Sequence, residues 1–320
     1  MKKESRIIIA IHGLGNKPAK TILENWWKQA ITDGLKFNNY PQAKFDFELV
    51  YWADILHPTA VDVECESKSK QPFTEIYVSE DYSDQKENLT YTAKAREYLE
   101  KYYGKFIVNE VLSLKYPSLT ELFVYLHLRD LKTYYSLLSI PYSGKEVKAK
   151  EIILDRFLKC LNKHKNKKIL LVAHSMGSII VQDALIEYLP QSLIDTYVTI
   201  GSPLGQKYVI NKYKLEIEQN LKNKLFVPEQ IINKWYNLFD PEDQVALNHQ
   251  LTNLYEVNSR KVKIEDQIVK NFFISEGIRN PHRSYGYLRT PEFSKIVSSF
   301  LIEKPTGIFE WIRKIFGKEK

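Results

Sequence analysis

Residues 169–177 read Ile-Leu-Leu-Val-Ala-His-Ser-Met-Gly, a short apolar run that ends abruptly in a serine flanked by small residues. The run predicts a buried strand, and residues 178–185 have the composition of a helix. A turn this tight between strand and helix strains the serine backbone and exposes its hydroxyl above the sheet edge. Strand and helix approach closely there, so the positions two before and two after Ser175 must be small. Ala173 and Gly177 meet that demand.

A second loop supports this interpretation of the serine. Residues 7–15 read Ile-Ile-Ile-Ala-Ile-His-Gly-Leu-Gly, another buried strand followed by a His-Gly-x-Gly loop. Acyl transfer needs two backbone N–H donors directed at the oxyanion that develops on the substrate. One would come from Met176, directly after the serine, and the other from Leu14 in the earlier loop. Gly13 and Gly15 would let that loop turn and lie close to the substrate.

These two motifs resemble those of the α/β-hydrolase superfamily, close to its serine lipase and esterase branch, although the commonest pattern has glycine where this chain has Ala173. Residues 198–205, Val-Thr-Ile-Gly-Ser-Pro-Leu-Gly, are similar to a Gly-Ser-Pro turn of many such relatives. The resemblance covers the first strand and roughly residues 150–300, but not about 55–130. It implies an α/β fold with a mostly parallel sheet of about six strands flanked by helices, lacking the first antiparallel hairpin.

Short apolar runs that alternate with helical patterns support a parallel sheet. The predicted strands lie at 6–11, 45–52, 168–173, 196–200, 234–239 and within 253–270, and helices are predicted at 20–35, 144–162 and 291–303. The chain then divides into an α/β-hydrolase core (1–54 and 140–303), an aromatic-rich helical insertion (55–139) and a C-terminal helix (304–320).

The insertion begins polar and becomes aromatic, with helices predicted near 90–115 and 118–138. Two interpretations stay open. The insertion could fold over the carboxyl edge of the sheet as a lid, where its aromatic side chains would suit an acyl chain. Alternatively, its helices pack on the core without touching the substrate. A smaller insertion, 205–230, is a candidate for another wall of the site.

A serine becomes a strong nucleophile when a base takes its proton and a carboxylate orients that base. The resemblance implies the chain order serine, acid, histidine. The acid is expected just past the strand at 234–239. Asp243, in Asp-x-Val, matches the position that bears the acid in relatives, and Asp240 at the strand end is the alternative. With Asp243 as the acid, Asp240 would cap or shape the turn.

The histidine is expected in a loop beyond the last strand, and His282 lies in such a loop, in an Asn-Pro-His segment that also resembles lipase-like relatives. Its rival, His249, follows the acid too closely for an intervening strand. Other histidines precede the serine and are out of order: His57, His127 and His164. His12 and His174 are predicted to brace the loops that carry them.

Composition narrows the class of protein. The 320 residues carry a formal net charge of +7 spread along the chain, with no nucleic-acid-binding motif, so no nucleic-acid partner is expected. The densest positive run, 163–168, is interpreted as a solvated helix C-terminus. Cys65 and Cys160 lie far apart without metal-type spacing, and no leader or membrane span is recognised, which together predict a cytoplasmic protein. No cofactor or metal is expected.

These observations predict a serine hydrolase that cleaves small-molecule or lipid esters with an apolar acyl group, through an acyl-enzyme. Two alternatives are an acyltransferase with the same residues and a non-catalytic module that binds a membrane or a protein. Residues 304–320 form a basic amphipathic pattern, which fits docking on the protein itself or peripheral membrane contact. The pattern makes no prediction of the oligomeric state.

Overall fold

Two segments of almost unbroken apolar character, residues 6–11 and 168–174, can be buried on both faces, as the central strands of a parallel sheet are. The structure is a computed structural model that describes residues 5–63, 76–79, 130–136, 139–218, 225–246, 250–275 and 278–302. Its central sheet has six strands: β1 (Arg6–Ile11), β2 (Asp46–Val50), β3 (Lys168–His174), β4 (Ile194–Ile200), β5 (Ile231–Phe239) and β6 (Ile264–Ile268).

The strands lie in the order β6-β5-β4-β3-β1-β2, and each neighbouring pair is parallel. From β1 the chain moves to the β2 edge, then returns to the other side of β1 as β3 and continues outward to β6. The connections that follow β1 and β3 therefore run to opposite sides. Such a switch in strand order opens a crevice at the carboxyl ends of the two strands, where α/β proteins bind ligands.

Helices cover both faces of the sheet. They are α1 (Lys20–Phe37), α2 (Ala53–Leu56), α3 (Ala149–Lys163), α4 (Met176–Glu187), α5 (Lys207–Glu218), α6 (Ser284–Leu288) and α7 (Pro291–Leu301). Single 3₁₀ turns occur at Pro203–Gly205, Gln244–Ala246 and Leu251–Asn253. Short strands pair Ile140–Tyr142 with Lys145–Val147, Leu225–Phe226 with Tyr255–Glu256, and Ile274–Ser275 with Ile278–Arg279.

The two-residue period of β1 separates the core into two layers. Ile7, Ile9 and Ile11 pack with buried residues of α3 and α4, whereas Ile8 and Ala10 pack with those of α1, α6 and α7. Each large apolar side chain buried in this way contributes roughly 1.5–3 kcal/mol to the free energy of unfolding. This double layer holds the carboxyl ends of β1 and β3 rigidly beside each other.

The α/β class with a six-stranded parallel sheet is confirmed, and all six predicted strands are present. Within the described residues, no antiparallel strand joins this sheet. The helix predicted at 144–162 begins at Ala149 instead, because residues 145–147 form a hairpin strand after a turn at Ser143 and Gly144, both with positive φ. Residues 284–288, which continue the loop predicted around His282, form α6.

The lysines of the basic run 163–168 are not simply solvated. Lys163, Lys167 and Lys168 pair with Glu48, Asp46 and Asp195 of neighbouring strands or their ends. These ion pairs connect the segment between α3 and β3 to β2 and β4. No helix in the described part of the chain combines the length and apolar character that a membrane span requires.

Most of the predicted insertion lies outside the described residues. This holds for the helix predicted near 90–115 and for most of the helix predicted at 118–138, of which residues 130–134 are described and helical. The C-terminal segment 304–320 also lies outside them. The smaller insertion at 205–230 contains α5, whose Tyr213 is buried and donates a hydrogen bond to Asp183 of α4 (2.7 Å). This part of the smaller insertion therefore packs on α4.

Candidate active site

The turn between β3 and α4 is strained at Ser175, which has φ 51° and ψ −128°. A non-glycine residue in this region costs about 1–3 kcal/mol and persists only where its surroundings enforce it. Here the Ser175 amide donates to the carbonyl of Ile200 (3.2 Å), and its own carbonyl accepts from the Ser178 hydroxyl (2.7 Å). The strand–turn–helix predicted around the serine is present.

Small residues on either side of this turn are required by close packing. A Cβ atom on Gly177 would lie 2.7 Å from the Ile11 carbonyl oxygen, and one on Gly13 would lie 2.7 Å from the Cβ of Ser175. Both distances are shorter than side chains tolerate. The loops after β1 and β3 are therefore in direct contact. Ser175 itself is buried, with 2% of its surface exposed. The sequence motif had instead predicted an exposed hydroxyl.

Ser175 begins a chain of hydrogen bonds through His282 to Asp243. The Oγ of Ser175 lies 3.1 Å from Nε2 of His282, and Nδ1 of His282 lies 2.9 Å from both carboxylate oxygens of Asp243. Since a carboxylate only accepts, Nδ1 carries the proton and Nε2 accepts the hydrogen bond from the serine hydroxyl. Three residues from separate loops thus meet at the carboxyl edge of the sheet.

Asp243 is fully buried and held by two further donors. The Tyr287 hydroxyl donates to Oδ2 (2.6 Å), and the Val245 amide donates to Oδ1 (3.0 Å). Burial, reinforced by the negative charge of Asp243, raises the pKa of Tyr287 well above its usual value, so the hydroxyl keeps the proton it donates. Gly201, at φ +53°, leaves the space that the carboxylate fills.

Asp240, the alternative acid, does not contact His282 in this structure. Its Oδ2 accepts from Arg279 (2.6 Å) and from the Asn271 amide (2.7 Å), and its Oδ1 accepts from the Glu242 amide (2.9 Å). Burial raises the pKa of Asp240 above its ordinary value, against the opposing effects of the Asn271 amide and Arg279. The bond from the Glu242 amide to Asp240 lies within the turn that Asp240 was predicted to cap or shape.

Asn271 connects Asp240 to the histidine loop. Its side-chain amide donates to the carbonyls of Pro281 (2.9 Å) and Arg283 (2.8 Å), the two residues that flank His282. A Cβ on Gly286 would collide with this amide, which explains the glycine there. Sequence reasoning gave no role to Asn271 or Tyr287, because a single Asn or Tyr outside a motif carries no local signal.

His12 and His174 each form hydrogen bonds with the backbone of loops around Ser175. His12 donates from Nδ1 to the Gly13 carbonyl (2.8 Å), and its Nε2 accepts from the Trp52 amide (3.0 Å). His174 donates from Nε2 to the carbonyl of His282 (2.8 Å). Burial lowers the pKa of His12 to about 3 and that of His174 well below its ordinary value, so both rings are neutral.

Leu14 and Met176, the predicted oxyanion donors, lie on the two contacting loops. Within the described residues, neither backbone N–H has a protein acceptor. Met176 is the first residue of α4, where the helix leaves N–H groups unpaired and directs its positive end outward. The neighbouring Gly15 has φ +84° and donates its amide to Asp130 (2.8 Å). Asp130 was not predicted as part of this region.

Among the described residues, one cluster has metal-binding side chains: Glu48, Cys160 and His164, whose ligand atoms lie within 4.8 Å of one another. Glu48 already accepts from His164 (2.6 Å) and Lys163 (2.7 Å). Burial, with the nearby charge of Glu48, raises the pKa of Cys160 to about 12, so Cys160 is a thiol in this cluster. Hydrogen bonding within the cluster accounts for the proximity of these three side chains. Sequence reasoning missed the cluster, whose signal is the helical spacing of Cys160 and His164.

The remaining predicted residues do not meet at Ser175. His57 contacts Asp130, and His164 contacts Glu48. His127, His249 and Cys65 lie outside the described residues.

No protein-family model matches the chain, and no curated protein matches it. Among solved structures, it is similar to an uncharacterized protein from Bacillus cereus ATCC 10987, with a TM-score of 0.36 and 12% identity over 94% of this chain. The chain spans 59% of the length of that protein. It is also similar to MenH from S. aureus, with a TM-score of 0.30 and 13% identity, over 56% of this chain and 87% of that one. Such distant likenesses support no argument about activity.

Proposed function

We propose that this chain is a serine hydrolase that cleaves carboxylic esters, with Ser175 as nucleophile, His282 as base and Asp243 as the acid that orients it. The observation that carries the proposal is the continuous hydrogen-bonded path from Ser175 through His282 to a buried carboxylate. This arrangement on a strained strand–helix turn is how acyl-transfer enzymes activate a serine.

In the proposed reaction, Nε2 of His282 takes the Ser175 proton as Oγ bonds to the ester carbonyl carbon. The carbonyl π electrons move to oxygen, and Asp243 stabilises the imidazolium that forms. The tetrahedral species then expels the alkoxide, which leaves as an alcohol with the proton from His282. Water, deprotonated by the same histidine, attacks the acyl-enzyme, releases the carboxylic acid and restores Ser175.

The backbone N–H groups of Leu14 and Met176 are proposed to bind the oxyanion. Their support is the contact between the two loops and the lack of an acceptor for either amide within the described part of the chain. A donor of this kind contributes roughly 3 kcal/mol to transition-state stabilisation. The proposed steps use only protein groups and water.

The substrate is proposed to carry a lipid-like or other apolar acyl group. The support is the aromatic composition of the insertion at 55–139 and the amphipathic pattern of 304–320, which fits peripheral contact with a membrane.

The test is covalent labelling with a fluorophosphonate probe, which phosphonylates an activated serine. We expect stoichiometric labelling of the wild type and none of Ser175→Ala. Ser192→Ala is a matched control, because Ser192 is also a buried serine but precedes β4 at the opposite edge of the sheet. A folded wild-type protein that resists the probe would contradict the proposal.

A panel of p-nitrophenyl esters of increasing chain length then examines the acyl group. We expect kcat/KM to rise with chain length. A preference for acetate would remove the apolar part of the proposal and leave the hydrolase part intact.

A further inference from the structure

The peptide group between Leu14 and Gly15 is held from both sides by opposite charges. Its N–H, on Gly15, donates to Oδ2 of Asp130 (2.8 Å), and its carbonyl, on Leu14, accepts from the ammonium group of Lys17. Lys17 also donates to the next carbonyl, that of Gly15 (3.2 Å). A peptide group bound at both ends cannot rotate without breaking a charge-assisted hydrogen bond.

The preceding peptide group is fixed as well. It consists of the Gly13 carbonyl, which accepts from Nδ1 of His12 (2.8 Å), and the N–H of Leu14. In a trans peptide the two bonds point in opposite directions, so His12 sets the plane in which the Leu14 N–H lies. Both peptide groups share the Leu14 Cα, and holding them together fixes the backbone dihedral angles of Leu14.

Asp130 is itself held firmly. It is 6% exposed, and its two carboxylate oxygens each lie 3.0 Å from Nε2 of His57, which follows α2. Burial acts to raise the pKa of Asp130, but the hydrogen bonds from His57 and the Gly15 amide, together with the charge of Lys17, bring it below its ordinary value. The residue is therefore a charged, buried acceptor at neutral pH.

We propose that Asp130 is a positioning residue for ester hydrolysis: through the Gly15 amide it holds the loop so that the Leu14 N–H points at the oxyanion formed at Ser175. The inference rests on the proposed function and deepens it. Asp130 is 115 positions from Gly15 and lies in the last part of the insertion at 55–139. The insertion thereby acts on the reaction through the loop after β1, whether or not it also covers the substrate.

The experiment compares Asp130→Ala and Asp130→Asn with Asp33→Ala and Asp33→Asn. Asp33 is a matched control, because it is 5% exposed and accepts from Tyr77 (2.5 Å) and Ser79 (2.6 Å) of another described piece of the insertion, without contacting either loop of the site. Each variant is assayed for kcat, KM, thermal midpoint and inhibition by a trifluoromethyl ketone. Ser175 Oγ adds to the carbonyl carbon of the ketone, the serine proton passes to His282, and the ketone oxygen becomes an oxyanion.

We expect Asp130→Ala to lower kcat/KM by about 10- to 100-fold through kcat, with KM nearly unchanged and the inhibition constant of the ketone raised by a similar factor. Asp130→Asn keeps a neutral acceptor and should fall between wild type and Asp130→Ala. Lys17→Met releases the other end of the same peptide group. Like Asp130→Ala, it should lower kcat/KM and raise the inhibition constant of the ketone. The Asp33 variants should lower the thermal midpoint while changing kcat/KM by less than about threefold.

Three results would overturn the proposal. In the first, Asp130→Asn keeps the kcat/KM and the ketone affinity of the wild type, and so does Asp130→Ala if it folds. Another is an equal loss of kcat in the Asp33 and Asp130 variants, which would reveal general destabilisation. The third is a wild type without Ser175-dependent hydrolysis, which would defeat the proposed function too; the first two defeat the role of Asp130 alone.

Discussion

A Cβ atom added to Gly13 would lie 2.7 Å from the Cβ of Ser175, so the loop after β1 touches the turn after β3 with no room for a methyl group. This contact joins the two halves of the proposed site. It arises because β1 and β3 are neighbours in the sheet although about 160 residues separate them in the chain.

Gly13→Ala should lower kcat/KM by at least about 100-fold, because the new methyl group must displace either Ser175 or the loop that carries Leu14. Gly144→Ala is the control: that glycine has positive φ, so alanine strains its backbone, but nothing lies within 4 Å of its Cβ position. Steady-state kinetics on both variants measure the effect. Similar activity in the two would mean that the loops separate without cost.

Asp243→Asn and Asp240→Asn distinguish the two candidate acids. Asp243 faces His282 at 2.9 Å, so Asp243→Asn should reduce kcat by about 10⁴-fold, as loss of a triad carboxylate does. Asp240→Asn weakens the pair with Arg279 and should affect the thermal midpoint more than kcat, with at most about a tenfold loss of kcat. The reverse order of kcat values would reassign the acid to Asp240.

Tyr287→Phe tests the support of the acid. The hydroxyl donates to Asp243 and accepts from the Asp240 amide (3.0 Å), so its removal leaves that buried amide without its acceptor and takes one donor from the buried carboxylate of Asp243. We expect a loss of about 1–3 kcal/mol in the free energy of unfolding and roughly a tenfold lower kcat/KM. Urea denaturation and kinetics on one preparation check both. Tyr285→Phe on the same short helix is a suitable comparison.

Stability should fall as the pH drops below about 6.5, because unfolding then adds a proton to His12. Its pKa is about 3 when folded and returns to about 6.5 when unfolded, so the unfolded state binds more protons in this window. The slope is up to about 1.4 kcal/mol per pH unit for one histidine. Above pH 6.5 this contribution to stability is fully present.

In His12→Gln, unfolding should take up about one proton fewer between pH 5 and 6, so the free energy of unfolding should depend less steeply on pH. The glutamine oxygen can still accept from the Trp52 amide but does not titrate. Urea midpoints of both proteins at several pH values measure it. Parallel pH profiles would show that His12 is protonated in the folded state.

Much of the sheet could be predicted because its strands have local signatures. The apolar runs at 6–11 and 168–174 end in motifs that have a known geometry, and they also identify Ser175 and the loop that carries Leu14. The chain order of serine, acid and histidine, implied by the resemblance, then reduced the candidates to Asp243, Asp240 and His282. The structure brings Asp243 and His282 together, while their catalytic role stays a prediction.

What surrounds the site could not be predicted, because it depends on contacts between distant segments. Asp130 meets Gly15, and Asn271 binds the carbonyls on either side of His282, yet neither residue stands in a recognisable pattern. A carboxylate or amide becomes significant only when burial removes its water, and burial is a property of the folded chain.

The positive φ of Ser175 gives the folded protein a local weakness that is independent of its chemistry. Glycine would adopt the same backbone angles without strain, so Ser175→Gly would be expected to make the fold more robust while abolishing any reaction at this position. A laboratory selection for heat resistance alone would then favour loss of the hydroxyl. Only a selection that also rewards turnover would retain the serine.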